Sequence, residues 1–179
     1  MTRLSASQSN RGMGLEQLIN YSNEVYRTRG HAVVYKRPTP VKILRTQGSR
    51  IVNAHLESPS TVDYEGVYRG HSLQFEAKST RVASRFDLKN FHEHQIEHLK
   101  SCMNHGAIAF VIVEFAGTDE RFFVPASLII KTWDDQADGG AKSIRYEDFA
   151  QWCQRIPSGR GVPVDYLIAV DKLLGSQTA

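Results

Sequence analysis

Residues 58–79 read SPSTVDYEGVYRGHSLQFEAKS, and the fold is decided here. Val62–Tyr68 and Ser72–Lys78 are β-type runs that bracket Arg69-Gly70, which predicts a hairpin with a tight turn. Side chains alternate along a strand, so Leu73, Phe75 and Ala77 share one face while Gln74, Glu76 and Lys78 share the other. Asp63 begins the partner strand. Two readings of these charges stand open on the residues alone. One is a half-exposed strand carrying a surface ion pair; the other is a metal-dependent phosphodiesterase site.

The second reading has a definite chemistry. A phosphodiester is protected by its own negative charge, and hydrolysis near neutral pH calls for a cation that offsets charge and helps generate hydroxide. Mg²⁺ suits this, because it keeps several waters and needs one or two carboxylates beside the substrate phosphate. Asp63 and Glu76 are of the right type, and a hairpin would bring them together. Lys78 would orient or activate the attacking water and oppose charge on the transition state. Glu16 is a further carboxylate available to complete the site.

Outward from the hairpin, Leu15, Leu18, Ile19, Ser22, Val25 and Tyr26 follow helical spacing up to a stop at Gly30. Ala32–Tyr35 is a short strand, and Pro38 and Pro40 then exclude a helix. Val41–Arg45 and Ile51–Leu56 read as two arms joined at Gln47–Ser49. Leu88–Met103 reads as one amphipathic helix. Ala107–Phe115 is apolar nearly throughout and predicts a central strand buried on both faces. A strand is expected at Arg121–Val124, short helices at Ala126–Trp133 and Tyr146–Cys153, and an apolar element at Asp165–Leu174. The sum is a mixed α/β domain with a central sheet flanked by helices.

Charge is segregated along this chain. The 32 residues from Val25 to Leu56 contain no Asp or Glu but seven basic residues: Arg27, Arg29, Lys36, Arg37, Lys42, Arg45 and Arg50. The net charge is +3, so that stretch is +7 and the remainder −4. Such segregation is the footprint of a surface that meets a polyanion. Two cysteines, Cys102 and Cys153, make neither a disulfide framework nor a four-ligand zinc site, which sets a reducing cytoplasm as the expected compartment. No apolar run approaches membrane-spanning length, and the polar start MTRLSASQSNRG lacks a secretory signal pattern.

The ordered blocks RGMGLEQLIN, YKRPTPVKI, SPSTVDYEGVYRG, FEAKS, NFHEHQIEHL and GGAKSI resemble the RecU family of bacterial Holliday-junction resolvases, from about Arg11 to Asp171. The resemblance implies a PD-(D/E)xK restriction-endonuclease-like fold with a projecting basic stalk. It implies Asp63 and Glu76 as metal-binding catalytic residues with Thr61 beside the metal, and Lys78 as the catalytic lysine. Glu16 and Gln95 complete the implied catalytic set, and Lys36, Arg37, Lys42, Arg45 and Arg50 are implied to bind DNA. The implied domains are a flexible tail at 1–13, a nuclease domain at 14–174 with a stalk insertion at about 36–52, and a C-terminal tail at 175–179. Also implied are Mg²⁺ as cofactor, with Mn²⁺ as substitute, and a homodimer acting on four-way junction DNA. The products would be paired nicks with 5′-phosphate and 3′-hydroxyl ends, made during recombination and repair. A recombinase and a branch-migration helicase are the implied protein partners. The sequence departs from the pattern in two places: Pro59 stands four residues before Asp63, and the stalk tip Arg45–Arg50 is short. Two other functions compete, a PD-(D/E)xK DNA endonuclease of another kind and a non-catalytic junction-binding or recombinase-modulating protein.

Other features have plainer readings. His92, His94 and His98 lie together, and His94 and His98 have zinc-compatible spacing, but no third partner is placed to finish such a site; helix-surface histidines are expected. Trp133 and Trp152 are expected to pack, Lys142 and Arg145 to lie in a loop near DNA, and Arg155–Arg160 to form a basic surface loop.

Overall fold

The computed structural model describes residues 14–56 and 61–177, so the expected tail at 1–13 and Pro59 lie outside the described residues. Helix α1 (Leu15–Thr28) buries Leu15, Leu18, Ile19, Ser22, Asn23 and Tyr26 along one stripe, as helical periodicity requires. Strand β1 (Val33–Lys36) follows, then β2 (Val41–Gln47) and β3 (Arg50–Leu56), which among the described residues pair only with each other. Every residue of these two arms is exposed, including Ile43, Leu44, Ile51 and Val52. The expected hairpin forms as β4 (Tyr64–Tyr68) and β5 (His71–Thr80), in register from Tyr64–Phe75 to Tyr68–His71. Arg69 (φ 49°) and Gly70 (φ 82°) both take the left-handed backbone that a two-residue hairpin turn needs.

Beyond the hairpin come β6 (Arg85–Asp87), a 3₁₀ turn at Leu88–Asn90, α2 (Glu93–Asn104) and β7 (Ile108–Phe115). The chain continues with β8 (Glu120–Pro125), α3 (Ala126–Asp135), β9 (Ser143–Arg145), α4 (Tyr146–Trp152), β10 (Gln154–Arg155) and α5 (Leu167–Gln177). The main sheet has the order β1-β4-β5-β7-β8-β10. Its neighbours are antiparallel except β5 and β7, which run parallel because α2 carries the chain back across the sheet.

One face of the sheet packs Leu73, Phe75, Phe110, Ile112 and Phe123 against residues of α1 and α5. Aromatic rings run across it from Tyr64 to Phe75, Phe110 and Phe123, with centroids 4.8, 4.5 and 4.4 Å apart. The other face packs Val111, Val113, Phe122 and Val124 against Ile96 and Leu99 of α2, Ile129 of α3 and Phe149 of α4. Strand β7 is therefore covered on both sides, as its unbroken apolar run predicts. Each of its fully buried large side chains contributes about 1.5–3 kcal/mol of hydrophobic stabilisation.

Several expectations are corrected. The helix expected from Leu88 to Met103 begins only at Glu93, because Phe91 and His92 are extended and Gln95 Oε1 accepts the His92 N–H at 3.1 Å. That bond caps the helix and ends the pattern begun by Leu88. The last helix runs through Gln177, past the expected start of a tail at 175. Trp152 is 60% exposed, since the chain turns there and Cys153 takes the inward position. Arg160 is no open surface loop residue: it pairs with Asp171 and, at 3.5 Å, with fully buried Asp165. Arg145 is held by both carboxylate oxygens of Asp148 at 3.1 and 2.9 Å rather than standing free for DNA. Strands β6, β9 and β10 escape sequence reading because two or three residues carry too little alternation.

Candidate active site

The site begins where β4 and β5 part. Their last paired residues on this side are Tyr64 and Phe75, and β5 continues to Thr80 with only β7 beside it. The fork leaves the Ala77 N–H without a strand partner, and Asp63 Oδ2 takes that place at 3.0 Å. This bond fixes the Asp63 carboxylate against β5, one residue from Glu76.

Glu76 faces the α2 side and is 0% exposed. Neither of its oxygens accepts a hydrogen bond of good geometry from the described residues, although Lys78 Nζ stands 3.0 Å from Oε2. An ionised carboxylate buried this way is costly, and burial pushes its pKa up. Lys78 works in the opposite direction and the Asp63 carboxylate reinforces the rise, with the result near 8. Lys78 is in turn placed by one group in the first turn of α2 and one in the segment leading into it. Its ammonium lies 3.4 Å from Gln95 Oε1 and 5.5 Å from the centre of the Phe91 ring. The helix cap therefore also positions the lysine. Asp63, Glu76, Lys78 and Gln95 form one connected group.

Glu16 is elsewhere. It lines a cleft of about 500 Å³ with Gly14, Leu15, Gln17, Ala77 and Ser79, residues of α1 and of the β5 face opposite Glu76. Its carboxylate is paired with Lys36. Thr61 is also engaged, its hydroxyl accepting from the Arg37 guanidinium. Among the described residues, no three His, Cys, Asp or Glu side chains are grouped to hold a metal. His98 bonds Gln74 at 3.4 Å and lies 3.3 Å from Cys102 Sγ, while His92 and His94 stack at 5.5 Å.

The residues nonetheless fit a hard divalent cation. Glu76 offers a buried oxygen with no hydrogen-bond donor, Asp63 adds a second carboxylate, and Mg²⁺ asks for little more from protein. Of the basic residues, Lys42, Arg45 and Arg50 project from the β2–β3 hairpin and have no ion pair among the described residues. Lys36 and Arg37, by contrast, are tied to Glu16, Thr61 and Glu65. Sequence reasoning gives no sign of these ties, since partners 20 or more residues apart leave no local pattern.

A six-stranded mixed sheet flanked by helices, with Asp where one strand starts and Glu-x-Lys on the strand it forks from, is the arrangement expected of the PD-(D/E)xK class. Within that class the chain belongs to the RecU family: the family model "Recombination protein U" matches residues 10–172. It is 43% identical over 175 residues to the Holliday junction resolvase RecU of Geobacillus thermodenitrificans, covering 95% of this chain and 87% of the relative. With the protein of the same name from Levilactobacillus brevis it shares 44% over 169 residues, covering 92% and 84%. Among solved structures it matches Archaeoglobus fulgidus Hjc, a Holliday junction resolvase, at 12% identity and a TM-score of 0.43, over 74% of this chain and 92% of that one.

Proposed function

We propose that this protein is a Holliday-junction resolvase, a structure-selective endodeoxyribonuclease that nicks opposed strands of a four-way junction in recombination and repair. The observation that carries it is Glu76: a fully buried carboxylate whose Oε1 has no donor among the described residues, with Lys78 3.0 Å from Oε2 and Asp63 nearby at an open strand fork. Nothing in the hydrophobic core needs that charge, and function explains its burial.

Asp63 and Glu76 would hold Mg²⁺, with Mn²⁺ as substitute, and such an ion would supply charge to offset the phosphate and to make the attacking water more acidic. Lys78 orients that water and opposes charge on the pentavalent transition state. Gln95 keeps Lys78 aimed at the fork. In-line displacement then leaves 5′-phosphate and 3′-hydroxyl ends. Thr61 takes a supporting place at the margin of the site, and Glu16, across β5 from Glu76, assists through its pair with Lys36 at the stalk base. Lys42, Arg45 and Arg50 meet phosphates, with Lys36 and Arg37 at the stalk base. Two copies related by two-fold symmetry match a substrate of near two-fold symmetry, which makes a homodimer the acting form. A recombinase and a branch-migration helicase are the protein partners that belong to this reading, and the cytoplasm is its compartment. The described residues contain no helix long and apolar enough to cross a membrane.

The test is a synthetic four-way junction incubated with and without Mg²⁺ beside a linear duplex of the same sequence. Paired nicks on the junction alone are expected, and Asp63→Asn or Glu76→Gln is expected to lower the rate by on the order of 10²–10³-fold with junction binding retained. Equal cleavage of linear duplex would point to another kind of PD-(D/E)xK endonuclease, and junction binding without cleavage to a non-catalytic protein.

A further inference from the structure

Arg37 ends the path from β1 into the stalk, and its contacts run toward the catalytic fork instead of outward. Its backbone N–H donates to the Asp63 carbonyl at 2.7 Å. Its Nη1 donates to the Thr61 hydroxyl, and its Nε stands 3.3 Å from Glu65 Oε2. Residues 61, 63 and 65 are thus all held by one side chain and its own amide, with Val62 fully buried between them. Asp63 is the residue whose carboxylate is pinned to the Ala77 N–H. On the α2 side Arg37 also faces His98 and Cys102; burial first, then the Arg37 charge, lowers the His98 pKa.

A group that exists to meet phosphate is expected to stand free in solvent, as Arg45 and Arg50 do. Arg37 is only a third exposed and already engaged by Thr61 and Glu65. The residue after it is Pro38, which fixes its own φ and confines Arg37 to extended backbone. The stalk therefore leaves the body through a stiff joint, and that joint is built on the segment carrying Asp63.

We propose that Arg37 is a positioning residue that sets the Thr61–Asp63 segment against β5, so that the base of the stalk fixes the placement of the Asp63 carboxylate. The inference rests on the catalytic reading of Asp63 and Glu76 given above. Lysine cannot replace arginine here, because only the planar guanidinium spans Thr61 and Glu65 together.

The experiment is single-turnover cleavage of a four-way junction at saturating enzyme and Mg²⁺, with junction affinity measured separately without metal. Arg37→Gln is expected to lower the saturated rate by on the order of 10- to 100-fold, the scale of a misplaced catalytic group, while affinity stays within about threefold. Arg37→Lys should recover only part of the rate. Thr61→Val should show a smaller loss that saturating Mg²⁺ does not repair, and the double variant should be no slower than Arg37→Gln, since both act through one contact. A wild-type saturated rate with weakened binding in Arg37→Gln would overturn the proposal and make Arg37 a phosphate ligand. Losses that multiply in the double variant would overturn it as well. If Arg37→Gln fails to unfold cooperatively, Thr61→Val decides: a wild-type rate refutes the positioning role. Glu76→Gln separates the two levels, because activity in that variant sinks the catalytic reading itself, whereas its inactivity beside a fully active Arg37→Gln sinks this inference alone.

Discussion

At the scale of single residues, Glu76 ties stability to pH. Its folded-state pKa lies near 8, well above the ordinary 4.5 of the unfolded chain. Between those values the folded protein without metal holds a proton that the unfolded chain has lost. Stability must therefore fall as pH rises through that window, by up to about 1.4 kcal/mol per pH unit. Glu76→Gln removes the titration, so the variant should gain on wild type from pH 5 to pH 8.5 in metal-free denaturant unfolding. A constant difference across that range would show that burial leaves Glu76 unperturbed. Asp63, Glu76 and Lys78 are legible in the sequence because alternation along one strand and one hairpin turn connect them. The pairing of Lys36 with Glu16 and of Arg37 with Thr61 is not, since tertiary contact alone creates it.

At the scale of elements, the β1–β4 contact depends on a missing side chain. A Cβ on Gly66 would stand 2.3 Å from the Val33 carbonyl oxygen and 2.7 Å from the Val34 Cα, both backbone atoms that cannot step aside cheaply. Gly66→Ala is expected to cost about 1–3 kcal/mol, the range for overpacking, and to disturb Lys36 at the end of β1 and Arg37 just after it. Chemical denaturation together with the cleavage rate would register both effects. The stalk is a different case. Among the described residues its arms pair only with each other, and an isolated two-stranded hairpin is marginal in water. Amides of Val41–Leu56 should exchange much faster than those of β7 in the free protein and slow when junction DNA is added. Unchanged exchange on adding DNA would remove the stalk from the binding surface. Both arms are readable from β-type runs around Gln47–Ser49. The late start of α2 is not, because Gln95 capping His92 competes with a helical pattern that Leu88 and Phe91 otherwise extend.

At the scale of the whole molecule, the charge asymmetry resolves into two populations that sequence alone does not separate. Arg27, Lys36 and Arg37 answer carboxylates or hydroxyls of the body, and Arg29 donates to the Arg160 carbonyl at 2.7 Å. Lys42, Arg45 and Arg50 lie on the exposed arms. Among the described residues, the second group makes no ion pair and reaches away from the body, so its side chains are the ones most open to a polyanion. Each phosphate met by a basic side chain releases counterions, so the logarithm of the binding constant falls with the logarithm of salt concentration by about 0.9 per neutralised phosphate on duplex DNA. Lys42→Gln, Arg45→Gln and Arg50→Gln combined should flatten that slope by roughly 0.9 for each phosphate no longer neutralised. The flattening should be larger on a four-way junction than on linear duplex, because an arm standing off the body can enter an open junction but finds no opening in a straight helix. Titrations of both substrates across a range of salt would check this; equal flattening would mean that the arms serve as a general DNA-binding surface and that junction selectivity resides in the body of the protein.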